Sequence, residues 1–267
     1  MPESLPRGIK SFSLVCTAPC HKEAALLVYS IRRFYDCPIL IISDDKTKSY
    51  LSQFSMRDVI CRTEANPEDL KAAEASLKVD SHNSFHSKGA IYKKMDAIEW
   101  AATECGNTMF VDADIVLTAP IQMDITHPVM LSPHYHTDNR KRDGWKYGGF
   151  NAGYIFTEEP SLAQTWRDIY LHRSRFYEQE GMAFFFEDYE VGKFNWFHNI
   201  GFWRNTKPLE PELPFDNALV KSIHCHFDSG AYLKANAGLT EAYDNWSEFW
   251  RGRIDPTLTT FMEDIKI

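Results

Sequence analysis

Positive charge is in short supply in this chain, with 29 Lys and Arg against 37 Asp and Glu, a formal net charge of −8 at pH 7. No global field therefore draws it to nucleic acid or to an anionic membrane. Long apolar runs are missing too. No stretch approaches the roughly 18 residues of a membrane span, and no charged and apolar leader opens the sequence, so a protein that stays in the cytoplasm is expected. The six cysteines (Cys16, Cys20, Cys37, Cys61, Cys105 and Cys225) contain no C-x-x-C pair, which leaves reduced thiols beside apolar neighbours as the expectation. Glycine is absent from residues 15–21, where a glycine-rich phosphate loop would follow a first strand, which argues against a nucleotidyltransferase. Repeats, low-complexity tracts and inter-domain linkers are lacking as well.

What is present is enough to build a sizeable core: 267 residues, 44% hydrophobic and 14% aromatic. Strand and helix signals alternate along the first half. Residues 12–16 form an apolar strand, 23–35 carry Leu27, Val28, Ile31 and Phe34 at helical spacing, and 38–42 form a second strand ending in Ser43-Asp44-Asp45. A third strand is expected over 57–62, a helix from Asn66-Pro67 with Asn66 as its N-cap, and another helix over 87–103. Strands joined through helices predict an α/β fold with a mainly parallel central sheet. In the second half, strands are expected over 128–132, 154–157 and 218–227, and helices over 161–180, 188–196, 240–250 and 257–265.

The segment Met109-Phe110-Val111-Asp112-Ala113-Asp114-Ile115-Val116-Leu117 interrupts an apolar run with two carboxylates. Burying them unpaired would be very costly, so they are expected at the carboxyl end of a strand, facing a cleft. Oxygen ligands of this kind suit Mg²⁺ or Mn²⁺, and such a cation completes its shell with substrate phosphates and water. The pair therefore points to a nucleoside-diphosphate site.

Further along, Asn151 lies in Gly148-Gly149-Phe150-Asn151-Ala152-Gly153, where small neighbours allow a ligand close to the backbone. Glu187 and Asp188 form an acidic pair inside an aromatic run, which makes Asp188 a candidate general base. The polar stretch 134–148, with Arg140, Lys141, Arg142 and Lys146, reads as a mobile loop and a candidate lid. Residues 218–227 place His224 and His226 on one face of a strand of period two.

The order of these features, from the strand ending at Asp44 through Lys94-Met95, Phe110-Val111-Asp112-Ala113-Asp114, Phe150-Asn151-Ala152-Gly153 and Glu187-Asp188 to His226, resembles the nucleotide-sugar glycosyltransferases of the GT-A fold. The likeness is greatest to the glycogenin-like group, glycosyltransferase family 8. It spans about residues 12 to 234 and implies one GT-A-type domain over 1–267. Within it, 10–117 would form a Rossmann-like nucleotide-sugar-binding half, 118–235 an acceptor and catalytic half, and 236–267 the C-terminal helices. The resemblance implies Mn²⁺ or Mg²⁺ held by Asp112 and Asp114, with Ala113 between them against the donor. His226 would be the third ligand, with His224 its alternate. It also implies donor contacts from Cys16, Thr17, Ala18, Ser43, Asp44, Lys94 and Lys234, and places Asn151 and Asp188 near the sugar. The glycine and lysine after His226 are spaced more widely than in the family, and its usual Pro-Trp is missing.

The implied reaction is transfer of a sugar from a nucleoside diphosphate donor, a UDP-sugar first, to an acceptor hydroxyl, with retention favoured. Two other classes compete. A zinc hydrolase could use His134-x-His136 and His224-x-His226 with the aspartates, and a non-catalytic sugar-binding protein would turn over no donor. The acceptor is open, a nucleic acid is disfavoured by the charge, and a homo-oligomer is neither demanded nor opposed.

Overall fold

The computed structural model describes residues 7–76, 88–135, 148–174, 178–201, 219–225, 227 and 248–267. Nine strands lie among them. β1 (Phe12–Cys16), β2 (Ile39–Ser43), β3 (Val59–Thr63), β4 (Thr108–Val111), β6 (Val129–Pro133), β7 (Phe150–Thr157) and β8 (Val191–Lys193) form one sheet in the order β3-β2-β1-β4-β7-β6-β8. β5 (Ile115–Leu117) and β9 (Ser222–His224) form a small antiparallel pair beside it. Pairing is parallel through β3, β2, β1 and β4, antiparallel on both sides of β7, and parallel between β6 and β8, so β7 alone runs against the rest.

Burial on both faces explains the unbroken apolar strands. Ile39 and Ile41 join one core with α1 (His21–Arg32), while Leu40 and Ile42 join a second with α4 (Lys88–Cys105). Met109 and Val111 of β4 likewise face the first core and Phe110 the second, as alternation of side chains across a pleated strand requires. α2 (Asp45–Leu51) and α3 (Pro67–Ser76) complete the first half, α5 (Leu162–His172) packs with α4 on the second core, and α6 (Pro256–Ile265) covers α1. There Phe261 stacks on Tyr29 at 4.2 Å between centroids, and Asp255 caps the helix through the Thr257 backbone N–H. All six cysteines are free thiols, and none of the described helices is long and apolar enough to cross a membrane.

Several expected elements change. The helix expected over 161–180 stops at His172, where the Ser174 N–H turns back to the Ile169 carbonyl and the Trp166 indole N–H binds the Glu178 carbonyl. The chain then folds back over α5 as a 3-10 turn (Glu180–Phe184) and a one-turn helix (Phe185–Asp188). The helix expected over 188–196 is instead the edge strand β8, because pairing with β6 overrides weak local helical spacing. Gly192 permits that pairing, since a Cβ there would collide with Met130 and His127. The strand expected over 154–157 begins four residues earlier, at Phe150, and the late strand is confined to Ser222–His224 within the described residues. Asn66 does not cap α3 with its side chain. Its amide pairs with Asp45, and Asp69 reaches back to the Asn66 N–H. Residues 136–147 of the expected lid and 240–247 of the expected helix lie outside the described residues.

Gly89 of α4 lies directly on the Leu70 carbonyl of α3, where a Cβ would overlap backbone. Gly89→Ala should therefore cost about 1–3 kcal/mol in urea unfolding, and an unchanged midpoint would show that the two helices separate freely. A second test concerns a buried chain in which the Tyr154 hydroxyl meets His198 Nδ1 at 3.1 Å and His198 Nε2 meets Asp124 at 3.3 Å. The His198 hydrogen bond, opposed by burial, holds the Asp124 carboxyl below its ordinary value. A lowered folded pKa stabilises the fold above the unfolded value near 3.9 and loses that effect as pH falls through the folded one. Asp124→Asn should thus melt below wild type at pH 7 and approach it in acid; an equal gap at both would refute the coupling.

Candidate active site at the carboxyl edge of the sheet

Cys16, Ser43 and Thr63 are in register at the carboxyl ends of β1, β2 and β3, and β4 ends beside them at Val111. Because β7 is reversed, its first residues, Phe150 to Gly153, reach this same edge. Between Leu131 and Ser132 the β7 partner jumps from Ile155 to Asn151, a bulge that kinks β7 where it meets the site.

Asp112-Ala113-Asp114 is the tight turn from β4 to β5. The Asp112 N–H binds the Gly153 carbonyl at 2.8 Å, the Ile115 N–H binds the Asp112 carbonyl at 3.1 Å, and the Cys225 N–H binds the Asp114 carbonyl at 2.7 Å. These bonds take up the Asp112 N–H and both aspartate carbonyls, and the two carboxylates stand at this edge of the sheet. Their side chains are 22% and 15% exposed, partly withdrawn from water without being sealed off.

Lys94 and His224 converge there. The Lys94 ammonium, on α4, lies 2.8 Å from Asp112 Oδ1 and 3.0 Å from Oδ2. Burial pulls its pKa down, but the charges of Asp112, Glu178 and Asp114 together with the Asp112 hydrogen bond outweigh this and raise it, so the lysine is charged. Antiparallel pairing sets Ile115 opposite His224, which brings His224 Nε2 to 2.9 Å from Asp114 Oδ1. Among the described residues, Asp112, Asp114 and His224 form the group that could hold a metal ion, their ligating atoms all within 4.8 Å of one another. Two carboxylates and an imidazole suit a divalent cation such as Mn²⁺, Mg²⁺ or Zn²⁺.

The residues expected at the nucleotide end are tied to one another. Asp44 is buried, and its two oxygens accept from the Ala18 N–H and the Thr47 N–H, both at 2.7 Å, joining the loops after β1 and β2. Ser43 is buried, Thr17 is partly exposed, and burial drives the Cys16 thiol well up, keeping it neutral. Asn151 is buried and accepts at Oδ1 from the Gly153 N–H at 2.9 Å. Asp188 is exposed at the end of its one-turn helix, and Glu187 is engaged with Arg173; the structure brings neither into hydrogen-bond or ion-pair contact with the aspartate turn. His226 and Lys234 lie outside the described residues. His134, a ligand in the hydrolase reading, binds the Gly148 carbonyl at 2.9 Å.

Two residues that sequence reasoning passed over belong here. Glu178 is 4% exposed, its charge acts on Lys94, and its Oε2 has no hydrogen-bond partner among the described residues. Beside it the Gln179 side chain accepts from the Ala152 N–H at 3.4 Å. The signal was the polar run Glu178-Gln179-Glu180 ahead of an aromatic block, absorbed into an overlong helix. The other is Asn199, a fully buried amide in an otherwise apolar segment, in contact with both Asn151 and His224.

No protein-family model matches this chain, and no curated protein is similar to it in sequence. Solved structures are similar in fold. The galactosyltransferase LgtC in complex with donor and acceptor sugar analogues aligns at a TM-score of 0.50 and 14% identity, over 91% of this chain and 100% of that one. An active-site mutant of LgtC gives 0.51 at 12% identity over 80% and 86%, and the bifunctional glycosyltransferase WbbM gives 0.51 at 12% over 92% and 52%. The mixed α/β architecture described above is the GT-A fold of these glycosyltransferases.

Gly153 provides the tightest constraint on the site, because a Cβ at that position would overlap the Asp112 carboxylate. Asp112 cannot swing aside without leaving Lys94. Gly153→Ala should therefore leave the circular dichroism spectrum unchanged while weakening Mn²⁺ binding by about 10- to 100-fold in calorimetric titration, the scale seen when a ligand's supports are disturbed. Wild-type affinity would mean that Asp112 is not a ligand.

Proposed function

We propose that this chain is a metal-dependent glycosyltransferase, family 8-like, that moves a sugar from a nucleoside diphosphate donor, a UDP-sugar first, to an acceptor hydroxyl with retention. The observation that carries the reading is the Asp112, Asp114 and His224 group, with Lys94 on Asp112, at the carboxyl edge of a GT-A sheet. Open α/β sheets bind ligands at that edge. The solved LgtC structure with donor and acceptor sugar analogues has the same fold, which supports the substrate class. One domain over 1–267 houses both halves of the site.

Asp112, Asp114 and His224 would hold Mn²⁺ or Mg²⁺, and the bound ion would supply Lewis-acid charge opposite the leaving diphosphate. His226, two residues on, is the alternate third ligand. Lys94 holds a fixed positive charge at the cleft and offers a hydrogen-bond donor to an incoming phosphate oxygen, so charge that grows on the leaving group meets a cation already in place. Cys16, Thr17, Ala18, Ser43 and Asp44 form the floor for base and ribose, with Lys234 a further phosphate contact. Asn151 and the buried Glu178 lie on the side of Lys94 away from that floor, and their amide and carboxylate would bind sugar hydroxyls. We assign to Glu178 the role near the sugar that the sequence suggested for the exposed Asp188.

The test is UDP release from a panel of UDP-sugars by the purified protein with each metal. Mn²⁺-dependent turnover is expected, and Asp114→Asn, which removes a charge but keeps shape, should lower it about 1,000-fold, the several kcal/mol a bound Lewis acid contributes. A correctly folded variant with near-normal turnover would overturn the metal assignment. Stoichiometric zinc with no donor turnover would favour the hydrolase class instead.

A further inference from the structure

Four buried groups form a one-way hydrogen-bond chain that ends at His224. It begins with the Gly153 backbone N–H, which can only donate, and which binds Asn151 Oδ1 at 2.9 Å. That contact orients the Asn151 amide with its oxygen toward Asn199. Asn199 must then present its NH₂, and Nδ2 does lie 3.0 Å from Asn151 Oδ1 and 3.1 Å from Ser132 Oγ. Its remaining atom, the carbonyl Oδ1, faces His224 Nδ1 at 3.0 Å and can only accept. The proton of the imidazole is therefore on Nδ1. In the neutral ring the lone pair is on Nε2, the atom 2.9 Å from Asp114.

Asn199 is also held in place independently of this chain. Its N–H binds Ser222 Oγ at 2.7 Å, and its backbone has φ of +51°, a left-handed conformation that asparagine tolerates better than most residues. The parallel bridge of Ile200 to Ile223 fixes the same segment against β9. Asn199 is wholly buried and His224 only 4% exposed, so water does not compete for either partner.

We propose that Asn199 is a positioning residue that sets the His224 tautomer, keeping Nε2 unprotonated and aimed at the aspartate pair so that it can ligate a divalent cation. This rests on the metal reading above only for its consequence; the tautomer itself is a property of the metal-free protein. A histidine ligand must be deprotonated at its ligating nitrogen, and a partner on the other nitrogen both orients the ring and selects which nitrogen that is. Without Asn199, Asp114 would compete for the single ring proton and draw it to Nε2, the wrong side.

The experiment is ¹⁵N NMR of the His224 imidazole in metal-free protein, at a pH where the ring is neutral, together with Mn²⁺ titration followed by electron paramagnetic resonance. Wild type should show a protonated Nδ1 and an unprotonated Nε2. Asn199→Leu should shift the proton toward Nε2 and weaken Mn²⁺ binding by about 10- to 100-fold. Asn199→Asp keeps an acceptor for Nδ1–H while losing the amide donor to Asn151 and Ser132; it should keep the proton on Nδ1, it serves if the leucine variant fails to fold, and a proton on Nε2 in it would overturn the proposal. A wild-type ring protonated at Nε2, or a folded Asn199→Leu protein with unchanged tautomer and affinity, would overturn the proposal. The expected tautomer change in a protein that binds no Mn²⁺ would uphold it and overturn the metal reading instead.

Discussion

Repulsion between Asp112 and Asp114, one residue apart and partly withdrawn from water, is the constraint around which the rest of the molecule is arranged. The protein answers with the Lys94 ammonium on one carboxylate and the His224 imidazole on the other. Each answer recruits a different part of the fold. Lys94 depends on α4 packing against the second core, whereas His224 depends on β9 pairing with β5. Removing Lys94 would leave a half-buried charge uncompensated, which typically costs more than the intact pair ever contributes. A divalent ion entering between the carboxylates would add positive charge that a neutral His224 does not supply.

The backbone supports the same end. The Asp112 N–H and the Asp112 and Asp114 carbonyls bind Gly153, Ile115 and Cys225, while Lys94 engages one carboxylate and His224 the other. Asp44 shows the contrast. Both of its oxygens accept backbone N–H groups, which makes it a clamp between two loops first and a ligand contact second. Residues of one type at two strand ends therefore do different work, and hydrogen-bond partners decide which.

The alternation of apolar strands and helices up to Asp114 was legible because β1, β2 and β4 are almost wholly buried and bounded by turn chemistry. The aspartate pair was legible for a related reason, since two charges inside an apolar run must escape the core. β8 was not. Its three residues, Val191 to Lys193, gain their conformation from β6, a partner some sixty residues earlier, and no local pattern announces it. Glu178 was hidden by the overlong helix assigned to its neighbourhood, and Asp188 was favoured because an acid beside aromatics looks buried in one dimension. Asn199 had no sequence signal beyond being polar in an apolar stretch. What it does is defined by atoms contributed by β7 and β9, which only the folded chain brings together.

The single reversed strand changes how this fold can diversify. Strand β6 ends and β7 begins at the same edge of the sheet, so the connection between Pro133 and Phe150 both leaves from and returns to the cleft. The register of the sheet is set elsewhere, by Val129 to Leu131 against Ile155 to Thr157. Length and composition can therefore drift in that connection while the pairings of Val129 to Leu131 hold. In evolutionary terms, variation there is insulated from the parts of the chain that must stay constant for the protein to fold.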